Sequence, residues 1–464
     1  MSEIPELPDR PLEAWTSTER EPWCLRRAGH LLRRAAFGAR PKQLADALEA
    51  GPEKTVDALL DYDPTVDPFN EMLERLEGFV NLNDLRSVQS WWLYRMLNTT
   101  RPVQERMALL WHNHFATSGL KVESGPLMHG QIELFRRAGL GSFRELVIAV
   151  GRDPAMLIWL DGRHSKKGKP NENYARELME LFTLGVGNYT EQDVRELSRC
   201  FTGWRIEGNR SRRIDKEWDD GEKTLLGRTG RFDDEQAVDV LLAQPAAARF
   251  LARRLLREFV HPAPPTALEE ALAQRVVKLD WQLKPIVREL LLSRVFYSDY
   301  AYRARIKSPV ELAVGTALAL GGKVNTDYLR DIIGRMGQNL LFPPNVKGWD
   351  GERSWINANT VLVRFNLGMV LATQRGGREF VRRNDLDEYL REHELSAAEP
   401  IVEHFARLLL DGEIDATLRE KLVDYMQRNE KNEPAPFKLS AGTVNSKVRG
   451  MLHLMMSTPQ FQLC

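Results

Sequence analysis

The sequence predicts an all-α protein built around one large multi-helix core. Apolar residues recur at three- and four-residue intervals in segments such as "CLRRAGHLLRRAAF", "SVQSWWLYRMLN" and "FRELVIAVGRDPAMLIWL", which is the period of an amphipathic helix. Most such segments are followed by Gly, Pro or Asn-Asp punctuation, as helix ends usually are. Strictly alternating runs are few, so strands are not expected as a main element.

The organisation follows from these patterns in chain order. Residues 1–22 contain several prolines and many charges, so they are expected to form an extended N-terminal arm. The main helical domain is expected to span residues 23–380, because helical patterning starts at "WCLRRAGHLLRRAAFG". Residues 381–464 return to helical patterning and are predicted as a helical C-terminal extension.

Residues 205–234 depart from helical patterning. They are rich in glycine and charge, and they are longer than a normal connection between helices. The sequence therefore predicts one long irregular loop or a small hairpin region, with hairpin turn chemistry in "DDGEKTLLG". A loop of this length is also a candidate surface for a protein partner.

Composition excludes several classes of protein. The 65 basic residues balance the 65 acidic residues, so the net charge gives no reason to expect nucleic acid or an anionic membrane as a partner. The three cysteines, Cys24, Cys200 and Cys464, are far apart and predict neither a disulfide framework nor a thiolate zinc site. The start of the chain lacks a signal-peptide pattern, and no long uncharged apolar run follows, so we expect a cytoplasmic protein.

The stretch "KPNENYARELMELFTLG" predicts an amphipathic helix with a strongly polar face. At about 100° per residue, Asn173, Glu177 and Glu180 fall on one side, and Tyr174 falls on the apolar side. Asn171 is a suitable N-cap. One interpretation is a solvated surface on which Arg176 pairs with glutamates four residues away. The other is a cleft in which the two carboxylates act as acid and base or bind a cation.

The histidines of "WHNHF" are expected to differ in environment. His114 shares the apolar face of its helix with Met107, Leu110 and Trp111, whereas His112 points about 200° away, so only His114 is expected to be buried. A buried histidine is either a core residue with one hydrogen bond, or a general base or metal ligand. The sequence contains no H-E-x-x-H pattern, so no metal site is predicted, and the sequence does not identify a cofactor.

Two loops add candidate ligand-binding groups. "DPAMLIWLDGRHSKKGKPNENY" places Asp161 in a polar connection just before the candidate helix. "FPPNVKGWDGERSWINAN" places two tryptophans, Trp349 and Trp355, in a turn that also supplies Asp350 and Asn357. The indoles form either a platform for a sugar or another flat ligand, or a buried cap on a helix end.

These stretches resemble a known bacterial family, the domain of unknown function 1800 (DUF1800). The matching text is "HLLRRAAFG", "WHNHF", "DPAMLIWLDG", "NENYARELMELFTLGVGNYTEQDV", "TGW", "GEKTLLG", "KSPVEL" and "MGQNLLFPPNVKGWDGERSWIN", in this order over roughly residues 28 to 370. The resemblance implies no established activity. It favours a role for the polar faces of "NENYAREL" and "GWDGERSWIN". Relatives often look exported, whereas this chain shows no N-terminal signal.

The resulting hypothesis is a hydrolase or lyase acting on a polar, carbohydrate-like substrate. The alternative is a non-catalytic scaffold or protein-interaction module in which the same polar residues tie helices together. The candidate catalytic residues are Glu177, Glu180 and His114. The candidate substrate-binding residues are Asn171, Asn173, Arg176, Asp161, Trp349, Asp350, Trp355 and Asn357.

Overall fold

The computed structural model describes residues 5–64, 66, 81–321, 324–373, 386–429 and 431–464. The described chain is mainly helical, which confirms the all-α class. Helices in the first part of the chain are α1 (Leu25–Ala35), α2 (Pro41–Ala50), α3 (Pro52–Leu60), α4 (Leu85–Asn98), α5 (Pro102–His114), α6 (Gly119–Val122), α7 (Gly125–Ala138), α8 (Phe143–Gly151), α9 (Pro154–Trp159), α10 (Glu172–Glu177) and α11 (Glu191–Cys200).

Helices also make up most of the second part. They are α12 (Asp234–Leu242), α13 (Pro245–Phe259), α14 (Thr266–Lys278), α15 (Leu283–Leu291), α16 (Pro309–Ala319), α17 (Thr326–Arg335), α18 (Ala358–Thr373), α19 (Leu386–Glu392), α20 (Ala398–Leu410), α21 (Ala416–Met426), α22 (Ala441–Thr443), α23 (Arg449–Met456) and α24 (Pro459–Gln462). Short 3₁₀ turns cover Gly162–His164, Asp215–Glu217 and Glu352–Trp355, and π-helical turns cover Leu178–Thr183 and Val444–Val448. No helix in the described ranges is long and apolar enough to cross a membrane.

Two small hairpins occupy the region where helical patterning fails. Strands β1 (Trp204–Glu207) and β2 (Arg210–Arg213) pair antiparallel, as do β3 (Lys223–Leu225) and β4 (Arg228–Gly230). The turn of the second hairpin is Leu226–Gly227, whose φ angles are 49° and 79°, as a type I′ turn requires. The hairpin alternative for residues 205–234 is therefore confirmed.

Helix α5 lies at the centre of the core and has no solvent-facing side. Eleven of its thirteen residues are buried, including the charged Glu105 and Arg106. The prediction that only His114 is buried was wrong, because His112 is 0% exposed. The prediction assumed that the helix has one apolar face and one solvent-exposed face, but a helix packed on all sides buries its polar residues as well.

The two ends of the chain pack on the same core. In the N-terminal segment, Trp15 is buried against Tyr297, and its backbone N–H donates to the carbonyl of Leu292 at 2.7 Å. At the other end, Leu463 forms a bridge with Ile306. The predicted boundary near residue 381 lies outside the described residues.

Helix α16 crosses the turn after α1 at a point where only glycine fits. A Cβ atom on Gly315 would lie 2.4 Å from the carbonyl oxygen of Phe37. By contrast, Gly130 is exposed on α7, and a Cβ atom there would meet nothing within 4 Å.

Gly315→Ala is therefore expected to lower the free energy of unfolding by about 1–3 kcal/mol, because the backbone must shift to admit the methyl group. Gly130→Ala is the matched control and should raise it by up to about 1 kcal/mol, since alanine is the better helix former. Urea denaturation of both variants measures the difference. Equal effects would contradict the close crossing.

Candidate functional site

A cleft with a volume of about 70 Å³ lies where four segments meet. These segments are helices α5 and α13, the turn that leads into α16, and the loop that follows residue 348. We call it the arginine cleft and define it by Arg254, Arg257, Arg305, Trp349 and Trp355.

A network of buried ion pairs forms the base of the cleft. The Nη2 atom of Arg106 lies 2.5 Å from Glu311 and 2.7 Å from Glu258. Arg305 donates from Nη1 to the Glu258 carbonyl at 2.7 Å and to the Glu311 carboxylate at 3.3 Å. Glu352 adds a contact of 3.5 Å to Arg305 Nε. The network therefore ties α5, α13 and α16 to the loop that carries Trp349 and Trp355, which we call the tryptophan loop.

Cationic neighbours lower the pKa of both glutamates of this network. Burial opposes the charge on Glu311, but Arg106 and Arg305 hold its pKa far below its usual value. Glu258 is likewise buried, and Arg106, Arg305 and Arg254 lower its pKa. Because each carboxylate has cationic partners, the desolvation cost is offset and the charges stay in place.

The end of α5 holds the tryptophan loop in place. Asn113 accepts from the backbone N–H of Trp349 at 2.7 Å and donates to its carbonyl at 3.4 Å. His112 Nε2 accepts from the backbone N–H of Leu341 at 3.1 Å, and its ring lies against Trp349. Gly348 has φ of 80°, and a Cβ atom there would meet Asn113 at 2.2 Å. The loop can approach α5 this closely only with glycine at that position.

Several side-chain donors line the cleft without a protein acceptor. Trp349, Trp355 and Gln338 are 7%, 6% and 4% exposed. Within the described residues, neither indole Nε1 nor the Gln338 Nε2 donates a hydrogen bond to protein, although Gln338 Oε1 accepts from Val310 N–H at 3.0 Å. The side chains are buried, but these donor nitrogens are not themselves fully buried, so they remain open to acceptors from solvent or a ligand in the cleft.

The acidic helix face, which we define as Asn173, Glu177 and Glu180, forms a second polar area. Asn173 donates to Asp161 at 3.3 Å, and Asp161 also pairs with Lys121 at 2.9 Å. Glu180 accepts from the Tyr189 hydroxyl at 2.7 Å. These pairings agree with a structural role for most of this surface.

Asn171 is the N-cap of α10, as predicted, since its Oδ1 accepts from Asn173 N–H at 2.9 Å. The predicted pairing of Arg176 with glutamates four residues away on both sides was only partly right. Arg176 contacts Glu172 at 3.4 Å, but its stronger partner is Glu191, which it binds through two hydrogen bonds of 2.6 and 2.8 Å. Its guanidinium is therefore occupied.

Glu177 differs from its neighbours on this face. It is half-buried, and it accepts no hydrogen bond from the part of the chain that the structure describes. Burial and the adjacent carboxylate of Glu180 raise its pKa, while Arg176 opposes this shift. The α-helix ends at Glu177 and continues as the π-helical turn Leu178–Thr183, a distortion often found at functional positions.

His114 lies behind both areas in an aromatic core. Its Nε2 is 3.1 Å from the Phe182 carbonyl, and its ring packs on Phe115. Burial and the charge on Arg254 lower its pKa to about 3. The ring is therefore neutral at physiological pH, and its Nε2–H serves the Phe182 carbonyl.

Comparison with known proteins places the chain in a family. Residues 30–463 match the family model described as "Protein of unknown function (DUF1800)". The chain belongs to the DUF1800 family. No curated protein and no solved structure matches it.

The structure divides the predicted site residues of this DUF1800 chain between two places. Trp349, Asp350 and Trp355 line the arginine cleft. Asn357 is exposed next to it and caps α18, accepting from Asn359 and Thr360 N–H at 3.0 Å each. The remaining predicted residues belong to the acidic helix face and its surroundings or, for His114, to the core. Among the residues described, no group of three or more His, Cys, Asp or Glu side chains could hold a metal ion.

Sequence reasoning missed the arginines of α13. In "ARFLARRLLREF" the helix has the apolar period expected for a core helix, and its arginines look like an ordinary solvated face. The usable signal is Arg254, which is four residues after Phe250 and three after the buried Leu251, so it falls on the packed side.

Glu311→Gln is expected to lower the free energy of unfolding by about 3–5 kcal/mol, because it removes the carboxylate that Arg106 and Arg305 share inside the core. Urea denaturation at pH 7 measures the loss. Asp239→Asn is the control, since it removes an ion pair between Arg144 and a half-exposed carboxylate and should cost less than about 1 kcal/mol.

The effect of Glu311→Gln should also depend on pH. The folded-state pKa of Glu311 is lowered, so its stabilisation is complete above the unfolded-state pKa of about 4.3 and is lost as pH falls below that value. The gap between wild type and variant should therefore shrink below about pH 4. A gap that stays constant down to pH 2 would contradict an ionised Glu311.

Proposed function

We propose that the chain binds a small polar ligand in the arginine cleft. The supporting observation is that Trp349, Trp355 and Gln338 line one cleft, where their donor nitrogens have no protein acceptor in the described residues. A ligand with acceptor oxygens would displace solvent from the cleft and form directed hydrogen bonds with these donors.

The size of the cleft limits the ligand. At roughly 10–15 Å³ per water-sized group, a volume of about 70 Å³ accommodates on the order of five non-hydrogen atoms. A carbohydrate-like substrate would therefore enter by one substituent, with the rest of the molecule in solvent. The buried ion pairs below the cleft keep its walls fixed, so little binding energy is lost in ordering them.

Trp355→Phe keeps an aromatic ring at this position but removes the indole N–H. The substitution is expected to weaken ligand binding about fivefold. The ligand is found by a thermal-shift screen of neutral polyols, amides and small acids, and its affinity is measured by isothermal titration calorimetry. Trp281→Phe is the control, because Trp281 stacks on Phe143 away from the cleft lining. Equal affinities for the two variants, or a screen without any binder, would overturn the proposal.

The raised pKa of Glu177 favours a second function, the hydrolase or lyase chemistry suggested by the sequence. A half-buried carboxyl without a hydrogen-bond donor is suited to act as a general acid, and Glu180, held by Tyr189, is suited to act as its base or nucleophile. His114 would then position Phe182 in the adjoining π-helical turn. The substrate would be a polar, carbohydrate-like molecule.

Glu177→Gln is expected to abolish at least about 99% of any activity found with a panel of aryl glycosides and uronic-acid substrates. It should also raise the melting temperature slightly at pH 7, because a carboxylate with a raised pKa destabilises the fold when ionised. This gain should vanish near pH 4. Glu172→Gln, an exposed change on the same helix, should leave activity intact; a loss of stability in Glu177→Gln would instead support the scaffold alternative.

A further inference from the structure

Arg254 and Arg257 lie one helical turn apart on the side of α13 that lines the cleft. Neither forms an ion pair with a carboxylate of the described residues, and Arg254 has one hydrogen bond, a 3.3 Å contact from Nη2 to the Leu110 carbonyl. Its Nε is buried without a partner. By contrast, the residue just before Arg254, Arg253, pairs with Glu269 through bonds of 2.7 and 2.8 Å.

The surroundings of Arg254 contain an excess of positive charge. Burial lowers its pKa to about 10, Glu258 opposes this, and Arg257, Arg305 and Arg106 add to the lowering. Glu258 is already engaged by Arg106 at 2.7 Å. A half-buried guanidinium among three others is therefore compensated poorly by the protein alone, and bringing an anion to it would offset that cost.

The carboxylates on the lining do not supply this compensation. Glu352 contacts Arg305 at 3.5 Å and accepts from the Ile306 N–H at 3.0 Å. Asp350 is exposed at the rim and has no ion pair in the described part of the chain. The position between Arg254, Arg257 and the indole donors is therefore rich in donors and poor in acceptors.

We propose that the arginine cleft recognises a small oxyanion, a carboxylate or phosphate group, held between the guanidinium groups of Arg254 and Arg257. This inference rests on the proposed ligand-binding function and specifies the charge of the ligand. Guanidinium groups bind both oxyanions through paired hydrogen bonds, and a group of about five non-hydrogen atoms matches the cleft volume. Trp349, Trp355 and Gln338 would donate to the remaining oxygens.

The test is calorimetric titration of the full chain with sodium phosphate and, separately, sodium acetate, in Tris chloride at low ionic strength. We expect binding that weakens at least tenfold in Arg254→Gln and in Arg257→Gln. Arg253→Gln is the matched control on the same helix, outside the cleft lining, and should bind within twofold of wild type. Asp350→Asn should bind two- to threefold more tightly, because it removes a like charge at the rim.

The outcomes separate this inference from the function it rests on. If a neutral ligand binds and depends on Trp355, but phosphate and acetate do not bind, the oxyanion proposal is wrong and the ligand-binding function stands. If anions bind equally to wild type and to Arg257→Gln, the site is elsewhere and the proposal is also wrong. Because Arg257 is exposed, Arg257→Gln is expected to fold. It therefore tests the oxyanion proposal even if Arg254→Gln fails to fold. If no ligand of either kind binds, both proposals fail.

Discussion

The ion pair between Arg106 and Glu311 is the interaction on which the cleft depends. Both side chains are almost fully buried, so each charge left alone would be strongly unfavourable, and the pair is retained only because its members meet inside the fold. Glu311 also closes a capping box with Ser308 at the start of α16. One carboxylate thus fixes the start of a helix and its position against α5.

This network separates the charges that hold the fold from those that remain available to a ligand. Arg106 and Arg305 share Glu258 and Glu311, so their guanidinium groups are committed to the protein. The same charges shift the pKa of Arg254, but Arg254 pairs with no carboxylate among the described residues. The paired guanidinium groups of Arg106 and Arg305 resist movement. The unpaired guanidinium of Arg254 is therefore held in a defined place without being neutralised.

The sequence predicted the parts of the structure that local patterns determine. Apolar periodicity located the helices, Asn171 identified the start of α10, and turn chemistry near Gly227 indicated a hairpin. The burial of His112 on α5 was predicted wrongly, because a helix surrounded by protein has no solvent-exposed face. The shift from α-helix to π-helical turn after Glu177 also has no signature in the periodicity.

The cleft could not be predicted because its contacts join residues that are far apart in the chain. Arg106 meets Glu311, and Asn113 meets Trp349, only after the helices have packed. The tryptophan loop was singled out because large aromatics beside glycine and aspartate are unusual. The arginines of α13 were not, because arginine is common on solvated helices. The spacing of Arg254 from Phe250 and Leu251 is the one sequence signal that sets it apart, and the packing shows that it lies on the inner side of α13.

The end of α5 connects the two candidate sites. Three successive residues of "WHNHF" each bind the backbone of a different segment: His112 accepts from Leu341, Asn113 binds both polar backbone groups of Trp349, and His114 bonds to Phe182. Trp349 lines the cleft, whereas Phe182 lies in the π-helical turn beside the acidic helix face. Neutral side chains suit this task, because burial keeps both histidines uncharged. The polar residues of this motif therefore position the groups around them, so any displacement of this helix end would move the cleft wall and the Glu177 helix together.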